Sequence, residues 1–360
     1  MNTPYLIQLL ANAGLTAAVV FLPFWATSLG FTHSNIGLLV ATYQGSMFFS
    51  SLLFGRWADL IDRKKFVITG LGLSSIVMAL HSLAVSPGML FLIRALIGIS
   101  AGIFPAALLA YFYSDNCNLG RFSGFGSLGW AAGALIVGLI TDWHLFLIAA
   151  LMLLLTAVLA HLRLKPQPVT LHQSFFNLKV FSRNWLIYLT FLLRHLGAFS
   201  IWTIFPLYLA DLGANRFWVG VIYALNPLAQ FLFMNILEPV RDTILIRTGL
   251  LLSVVVFVAF GLAQHFSQVI PIQLALALSW SCLYLGTLKQ LLRQNEEKST
   301  VSGMLQSVLS LAAVCGALLE GVTGKFGYQT IMFAAAGVAL LGTLLYFFMP
   351  KMNPTNGKEK

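Results

Sequence analysis

Gly55-Arg56-Trp57-Ala58-Asp59-Leu60-Ile61-Asp62-Arg63-Lys64-Lys65 decides how this chain is read. Six of its eleven residues are ionisable, in a chain of 360 residues with only 9% charged residues. Apolar runs of about twenty residues flank it, the length a helix needs to cross a ~30 Å hydrocarbon core. Backbone polar groups inside hydrocarbon must be satisfied within the helix, so a joint between two spans lies outside it. A basic joint belongs on the cytoplasmic side.

Composition agrees. The chain is 59% hydrophobic, with a mean hydropathy of +0.86. Soluble domains carry ~25% charged and ~45–50% apolar residues. Too little polar surface is available here to cover a soluble domain. Long apolar runs, not ten-residue alternations, select an all-α polytopic membrane protein over a barrel. The formal net charge of +10 would suggest nucleic acid in a soluble protein. In short loops the same charges set orientation, so no nucleic-acid partner is expected. Cys117, Cys282 and Cys315 form no metal or redox spacing, and neither metal nor cofactor is expected. The run from Tyr5 is of full spanning length without a small-residue cleavage site, so it reads as the first span rather than a leader.

Twelve spans are expected: 5–29, 34–54, 66–84, 88–113, 120–141 and 143–163, then 185–210, 216–238, 243–263, 268–291, 299–322 and 326–348. The domains expected are a six-helix bundle over 1–163, a cytoplasmic linker over 164–184 with Pro166 and Pro168, a second bundle over 185–350, and a tail over 351–360. Of the 21 Lys and Arg, all but Arg94, Arg194, Arg216 and Lys325 fall in even-numbered loops or the tail. That bias places both termini in the cytoplasm, in a plasma (inner) membrane.

The chain also repeats. At a shift of 183, Pro23 meets Pro206, Leu29-Gly30 meets Leu212-Gly213, and Gly37 meets Gly220. Asp59 meets Asp242, Lys64 meets Arg247, and Gly133-Ala134-Leu135 meets Gly316-Ala317-Leu318. Six spans per half make the repeat parallel, with its axis along the membrane normal.

With this repeat, the spacing Gly55-x-x-x-Asp59 followed by Lys64 resembles the loop between the second and third helices of the major facilitator superfamily. The resemblance implies two pseudo-symmetric six-helix bundles and a secondary transporter. It also implies a conformational latch of Gly55, Asp59, Arg63 and Lys64. In it, Asp59 engages Arg63 and a neighbouring helix start, here the eleventh span near Ser299-Thr300. A carboxylate there gains ~0.3–1 kcal/mol when exposed. Asp62, where the family usually has Gly, is a rival carboxylate for Arg63. In the second half Glu238-Pro239 replaces the Gly start, so the turn reads as degenerate. Arg94 with Gly98 is similar to the family's Arg-x-x-x-Gly pattern on the fourth span, which is associated with proton coupling. The glycines of the fifth span, Gly124 to Gly138, resemble those of the family's antiporters, and they also suit close helix packing.

Charge inside a span needs a reason, because an intramembrane Arg costs at least ~2.5 kcal/mol. Arg94, Arg194 and His195 are therefore the leading residues of a midplane cavity, where transporter sites lie. Asn12 is the repeat partner of His195. Gln8, Tyr43, Asn226, Gln230, Trp280 and Tyr284 are further candidates, and Asn226-Pro227 is expected to break the eighth helix. No Asp or Glu lies at the membrane centre, so His195 is the best central protonatable group. A central arginine suits an anionic solute. These readings converge on a monomeric transporter that works by alternating access. It moves a small anionic or amphipathic solute against protons, with export favoured over uptake. A membrane-embedded transferase lacks support, because no paired acids, metal cluster or Ser-His-Asp grouping appears. A receptor without flux is the remaining alternative.

Overall fold

The computed structural model describes residues 3–31, 33–114, 118–140, 142–167 and 178–349. Among them thirteen α-helices make twelve spans. The first half holds α1 (Thr3–Ser28), α2 (His33–Ala58), α3 (Arg63–Leu80), α4 (Pro87–Ile103), α5 (Pro105–Ser114), α6 (Leu119–Leu139) and α7 (His144–Arg163). The second holds α8 (Leu178–Asp211), α9 (Arg216–Ile236), α10 (Asp242–Leu262), α11 (Phe266–Gln294), α12 (Lys298–Thr323) and α13 (Tyr328–Phe348). With α4 and α5 taken as one span, 11 segments are long and apolar enough to cross a membrane. Glycine-rich α6 completes the set, packed between α1 and α9.

The two halves pack alike. In the first, α1 lies on α6 and α7, α2 on α4, and α3 on α4 and α7. In the second, α8 lies on α12 and α13, α9 on α11, and α10 on α11 and α13. These are the same pairings repeated, and the 183-residue shift holds at atomic detail. Gly30 and Gly213 end the first helix of each half with φ of 83° and 87°, a left-handed backbone that favours glycine. Gly133 lies against Ala13, Thr16 and Ala17, and Gly316 lies against Leu196, Phe199 and Ser200, each contact one shift apart. A Cβ on Gly133 would sit 2.5 Å from the Ala13 carbonyl oxygen, so only glycine lets these backbones approach.

Three local expectations change. The fourth span is broken at Phe104, because Pro105 has no amide to continue the α4 ladder and starts α5 instead. The seventh span begins at Leu178 rather than 185, so Lys179 and Arg183 ride on its first turns. Asn226-Pro227 does not break the eighth span: α9 runs unbroken from Arg216 to Ile236 with Pro227 inside it. Packing holds a transmembrane helix through the missing hydrogen bond.

The bundles meet toward one end. One core of buried apolar residues fills the N-terminal bundle and crosses to Leu245, Leu288, Val301 and Leu305 of the other. A second core, with Phe205, Phe257, Phe260 and Met332, stays inside the C-terminal bundle. The crossing lies at the end where Arg63, Lys289, Arg293 and Lys298 gather, termed here the basic end. Two seams join the bundles there, α2 against α12 and α6 against α9. Farther along α2, Gly45 and Gly37 have no neighbour within 4 Å of a Cβ position.

Candidate functional site

At the basic end the α2–α12 seam is built around Asp59, which is fully buried. Gly55 and Gly303 bring the helices together: a Cβ on Gly55 would lie 2.9 Å from both Gly303 Cα and the Ser299 carbonyl oxygen. One turn on, the Asp59 carboxylate accepts from Ser299 N–H (3.0 Å), Thr300 N–H (2.7 Å) and the Thr300 hydroxyl (2.8 Å). It also pairs with Arg63 at 3.0 Å. The first amides of a helix have no partner within it, and a carboxylate satisfies them while meeting the positive end of the helix dipole. Arg63 also donates to Ser299 Oγ (3.2 Å) and Ser114 Oγ (2.8 Å), tying α3, α5 and α12 together. Asp62 is no rival: it caps α3 by accepting from Lys64 N–H, and it accepts from Gln167 N–H. Among the described residues Lys64 joins through that backbone amide alone, so Gly55, Asp59 and Arg63 form the cluster without a hydrogen bond from the Lys64 side chain.

The α6–α9 seam has an equivalent that sequence reading missed. Glu238 accepts from Gly120 N–H at 2.6 Å, the start of α6. Gly120 lies against the Met234 carbonyl as Gly303 lies against that of Ser51, again 183 residues apart. Lys289 holds Glu238 from behind, 3.8 Å from its carboxylate, and donates to the carbonyls of Glu238 and Val240.

At mid-depth the predicted residues form separate groups. In the C-terminal bundle Arg194 is 2% exposed. Its Nε donates to Ser253 Oγ at 2.8 Å. Ser253 and Ser279 lie 2.7 Å apart and both donate to the Gly249 carbonyl. The guanidinium lies 5.4 Å from the Phe257 ring and 5.8 Å from that of Trp280. Its Nη2 has no hydrogen-bond partner. His195 sets Nδ1 2.7 Å from the Phe191 carbonyl, leaving buried Nε2 without a partner. Its ring meets Trp280 edge to face at 4.8 Å, and Trp280 stacks on Tyr284 at 5.0 Å. Arg194, His195, Trp280 and Tyr284 thus make one cluster on α8 and α11.

In the N-terminal bundle Arg94 is also 2% exposed. Its guanidinium sits 4.4 Å from the Tyr43 ring centre, and its Nε has no hydrogen-bond partner. Asn12 donates to the Gln8 carbonyl at 2.8 Å, one turn back, as His195 addresses Phe191. Residues 8 and 12 stand one repeat shift from 191 and 195. Gln8 packs on Gly126 of α6.

A polar chain crosses the α6–α9 seam between these groups. Ser127 donates to Gln230 (2.9 Å), Gln230 to Asn226 (2.5 Å), and Asn226 to Gln273 (3.0 Å). Gln273 is fully buried and its Nε2 is unpartnered. Ser127, Ser253, Ser279 and Gln273 were not singled out in the sequence. Gln273, two residues after Pro271, carries the one signal that could have found it, a polar amide inside a span. Arg94 and Arg194 lie in different bundles, and no contact joins them among the described residues. Those residues also hold no cluster of three His, Cys, Asp or Glu side chains suited to a metal.

Comparison with known proteins agrees with this architecture. The sequence profile of the Major Facilitator Superfamily matches residues 5–292. Multidrug resistance protein MdtG of Escherichia coli is 26% identical over 370 residues, covering 93% of this chain and 90% of that protein. MdtG of Citrobacter koseri is 26% identical over 369 residues, covering 93% and 91%. Among solved structures, the human organic anion transporter MFSD10 (TETRAN) superposes with a TM-score of 0.79 at 16% identity, over 95% of this chain and 97% of that one. A bacterial homologue of the iron transporter ferroportin, in an outward-facing state, gives 0.75 at 15% identity, over 96% and 98%. At such identities these superpositions speak for the fold alone. The profile match, the duplicated bundles and the Asp59 turn together place the chain in the major facilitator superfamily of membrane transporters.

Proposed function

We propose that this transporter exports a small anionic or amphipathic organic solute in exchange for protons, by alternating access. The basic end is cytoplasmic in this reading, with both termini on the cytoplasmic side of an inner membrane and the chain acting as a monomer. The two bundles, α1–α7 and α8–α13, rock about the mid-depth polar groups, with the segment between α7 and α8 as linker. The structure is then the state closed to the cytoplasm, since both capped seams lie there.

The observation that carries the reading is the Arg194 cluster. A guanidinium and an imidazole, both buried, each keep a nitrogen without a partner beside the Trp280–Tyr284 stack. The unspent Arg194 donor in a low-dielectric interior costs ~1–3 kcal/mol, a cost that an anionic group offsets; His195 Nε2, opposite the Nδ1 that faces the Phe191 carbonyl, is a free acceptor open to a proton. Aromatic faces supply apolar contact for the rest of the solute. His195 is the group assigned to the proton, and Arg94 on Tyr43 is the matching buried charge of the other bundle. MdtG, by its name a multidrug resistance protein, lends support to export.

Proteoliposomes with an imposed pH gradient test this. Fluorescent organic anions and cations should be screened against wild type, Arg194→Ala and His195→Ala. Anion flux driven by the gradient is expected in the wild type, and loss of flux with normal expression in Arg194→Ala. Full transport by Arg194→Ala contradicts the site. Gradient-driven flux that survives His195→Ala contradicts the coupling role.

A further inference from the structure

The lipid-facing wall of the N-terminal bundle carries a groove separate from the transport path. Phe54 and Ile61 on one side, Lys65, Phe66, Thr69 and Leu73 of α3 on the other, and Ile103 beneath enclose about 290 Å³. Lys65, Thr69 and Leu73 stand four residues apart on one face of α3, a ladder ~12 Å long at 1.5 Å per residue. At the foot, Gly70 seats α3 on Ile103 and Phe104, at the break between α4 and α5. Aromatic rings build the upper wall: Phe54 lies 5.1 Å from Trp57 and 6.1 Å from Phe66. Trp57 is itself exposed, at the level where amphipathic rings mark the membrane interface.

The charge on this groove is one-sided. Lys65 is the one ionisable residue lining it. Lys65 forms no ion pair among the described residues. The nearby carboxylates are engaged elsewhere, Asp62 on the amides of Lys64 and Gln167 and Asp59 on α12. We propose that this groove binds an anionic phospholipid of the cytoplasmic leaflet. One acyl chain lies along Leu73, Phe66 and Phe54, and the headgroup phosphate meets Lys65. Charge complementarity selects the occupant: a free phosphate has nothing to fill the apolar ladder, and a neutral lipid leaves Lys65 unanswered. A basic residue above an apolar slot between helices is the pattern by which cytoplasmic-side sites hold anionic headgroups. The lipid would brace α2 against α3 beside the turn that carries Asp59.

Native mass spectrometry of the full chain, with phosphatidylglycerol or phosphatidylcholine added at equal concentration, tests it. The wild type is expected to retain one phosphatidylglycerol about five-fold more than phosphatidylcholine, the factor one surface lysine supplies. Lys65→Gln should bring the ratio to about one, while Lys325→Gln, on the opposite end, leaves it unchanged. Leu73→Trp fills the slot and should lower retention of both lipids. If that variant does not fold, Lys65→Gln carries the test, since it alters only an exposed side chain. Equal retention in the wild type, an unchanged ratio in Lys65→Gln, or displacement by inorganic phosphate alone overturns the proposal. So does a dimer that Leu73→Trp dissociates, which would give the groove to a second copy of the chain.

Discussion

At one seam a buried aspartate holds the first amides of α12; at the other a half-buried glutamate holds the first amide of α6. In the repeat these acids are not counterparts. The partner of Asp59 is Asp242, which stays in its own bundle, 2.7 Å from Arg293 and accepting from Thr243 N–H. The partner of Glu238 is Gly55. Helix α6 starts one turn later than α12 in the repeat frame, and the capping acid stands one turn earlier. The two displacements cancel, and the carboxylate meets a helix start at both seams. Orphan amides at a buried helix terminus need an acceptor, and either position supplies one. The seams differ in depth: the Asp59–Arg63 side chains are 0% and 6% exposed, those of Glu238 and Lys289 23% and 19%. The α2–α12 seam should therefore be the stronger of the two.

The largest expected effect comes from Asp59→Ala. It strips the buried Arg63 charge of its carboxylate, leaving only neutral acceptors, and leaves the α12 amides unsatisfied, a loss of ~3–5 kcal/mol for a broken buried pair. A cysteine placed at Ser302, buried in the closed seam, should become reactive to a thiol reagent applied from the basic end. A label rate equal to that of the Asp59 protein would break the comparison. Next come Gly303→Val and Gly120→Val, which force a side chain onto the backbone of the facing helix. Overpacking costs ~1–3 kcal/mol, and the repeat predicts similar losses of thermal stability from both. Glu238→Gln should cost ~1 kcal/mol, because the glutamine keeps an oxygen to accept from the buried Gly120 amide and Lys289 is partly hydrated. An effect as large as that of Asp59→Ala would show that exposure does not rank the seams.

The smallest effect lies outside both seams. Exposed Asp142 accepts from His144, which holds its carboxyl below the ordinary value. A lowered value in the folded state means stability that is present at neutral pH. It is lost only as pH falls through that lowered value, on the acid side of the ordinary carboxylate range. Asp142→Asn should leave melting at pH 7 nearly unchanged and remove a small acid-side step; a large loss at pH 7 would contradict this.

Hydropathy made the twelve spans legible, because a bilayer rewards apolar length and charged joints mark its edges. The Asp59 cap was legible too, since a charged turn and a Ser299-Thr300 helix start are both local signals. The Glu238 cap was not: it depends on two helix ends sliding by one turn, which no fixed shift reveals. Pro105 left the apolar run intact, so the break at Phe104 was invisible to hydropathy. Depth placed Arg94 and Arg194 inside the membrane, but not which way each faces around its helix. Facing is set by tertiary packing, and it put one arginine on Tyr43 and the other on Ser253.

The central claim is that the two bundles pivot, with the Asp59 seam shut in the state described here. Paired spin labels test it directly: Ile61 with Glu296 across the basic end, and Val85 with Phe326 across the opposite end, each measured with and without Asp59→Asn. The account predicts that the substitution lengthens the Ile61–Glu296 distance while shortening Val85–Phe326. Both distances unchanged, or both lengthened together, would contradict it.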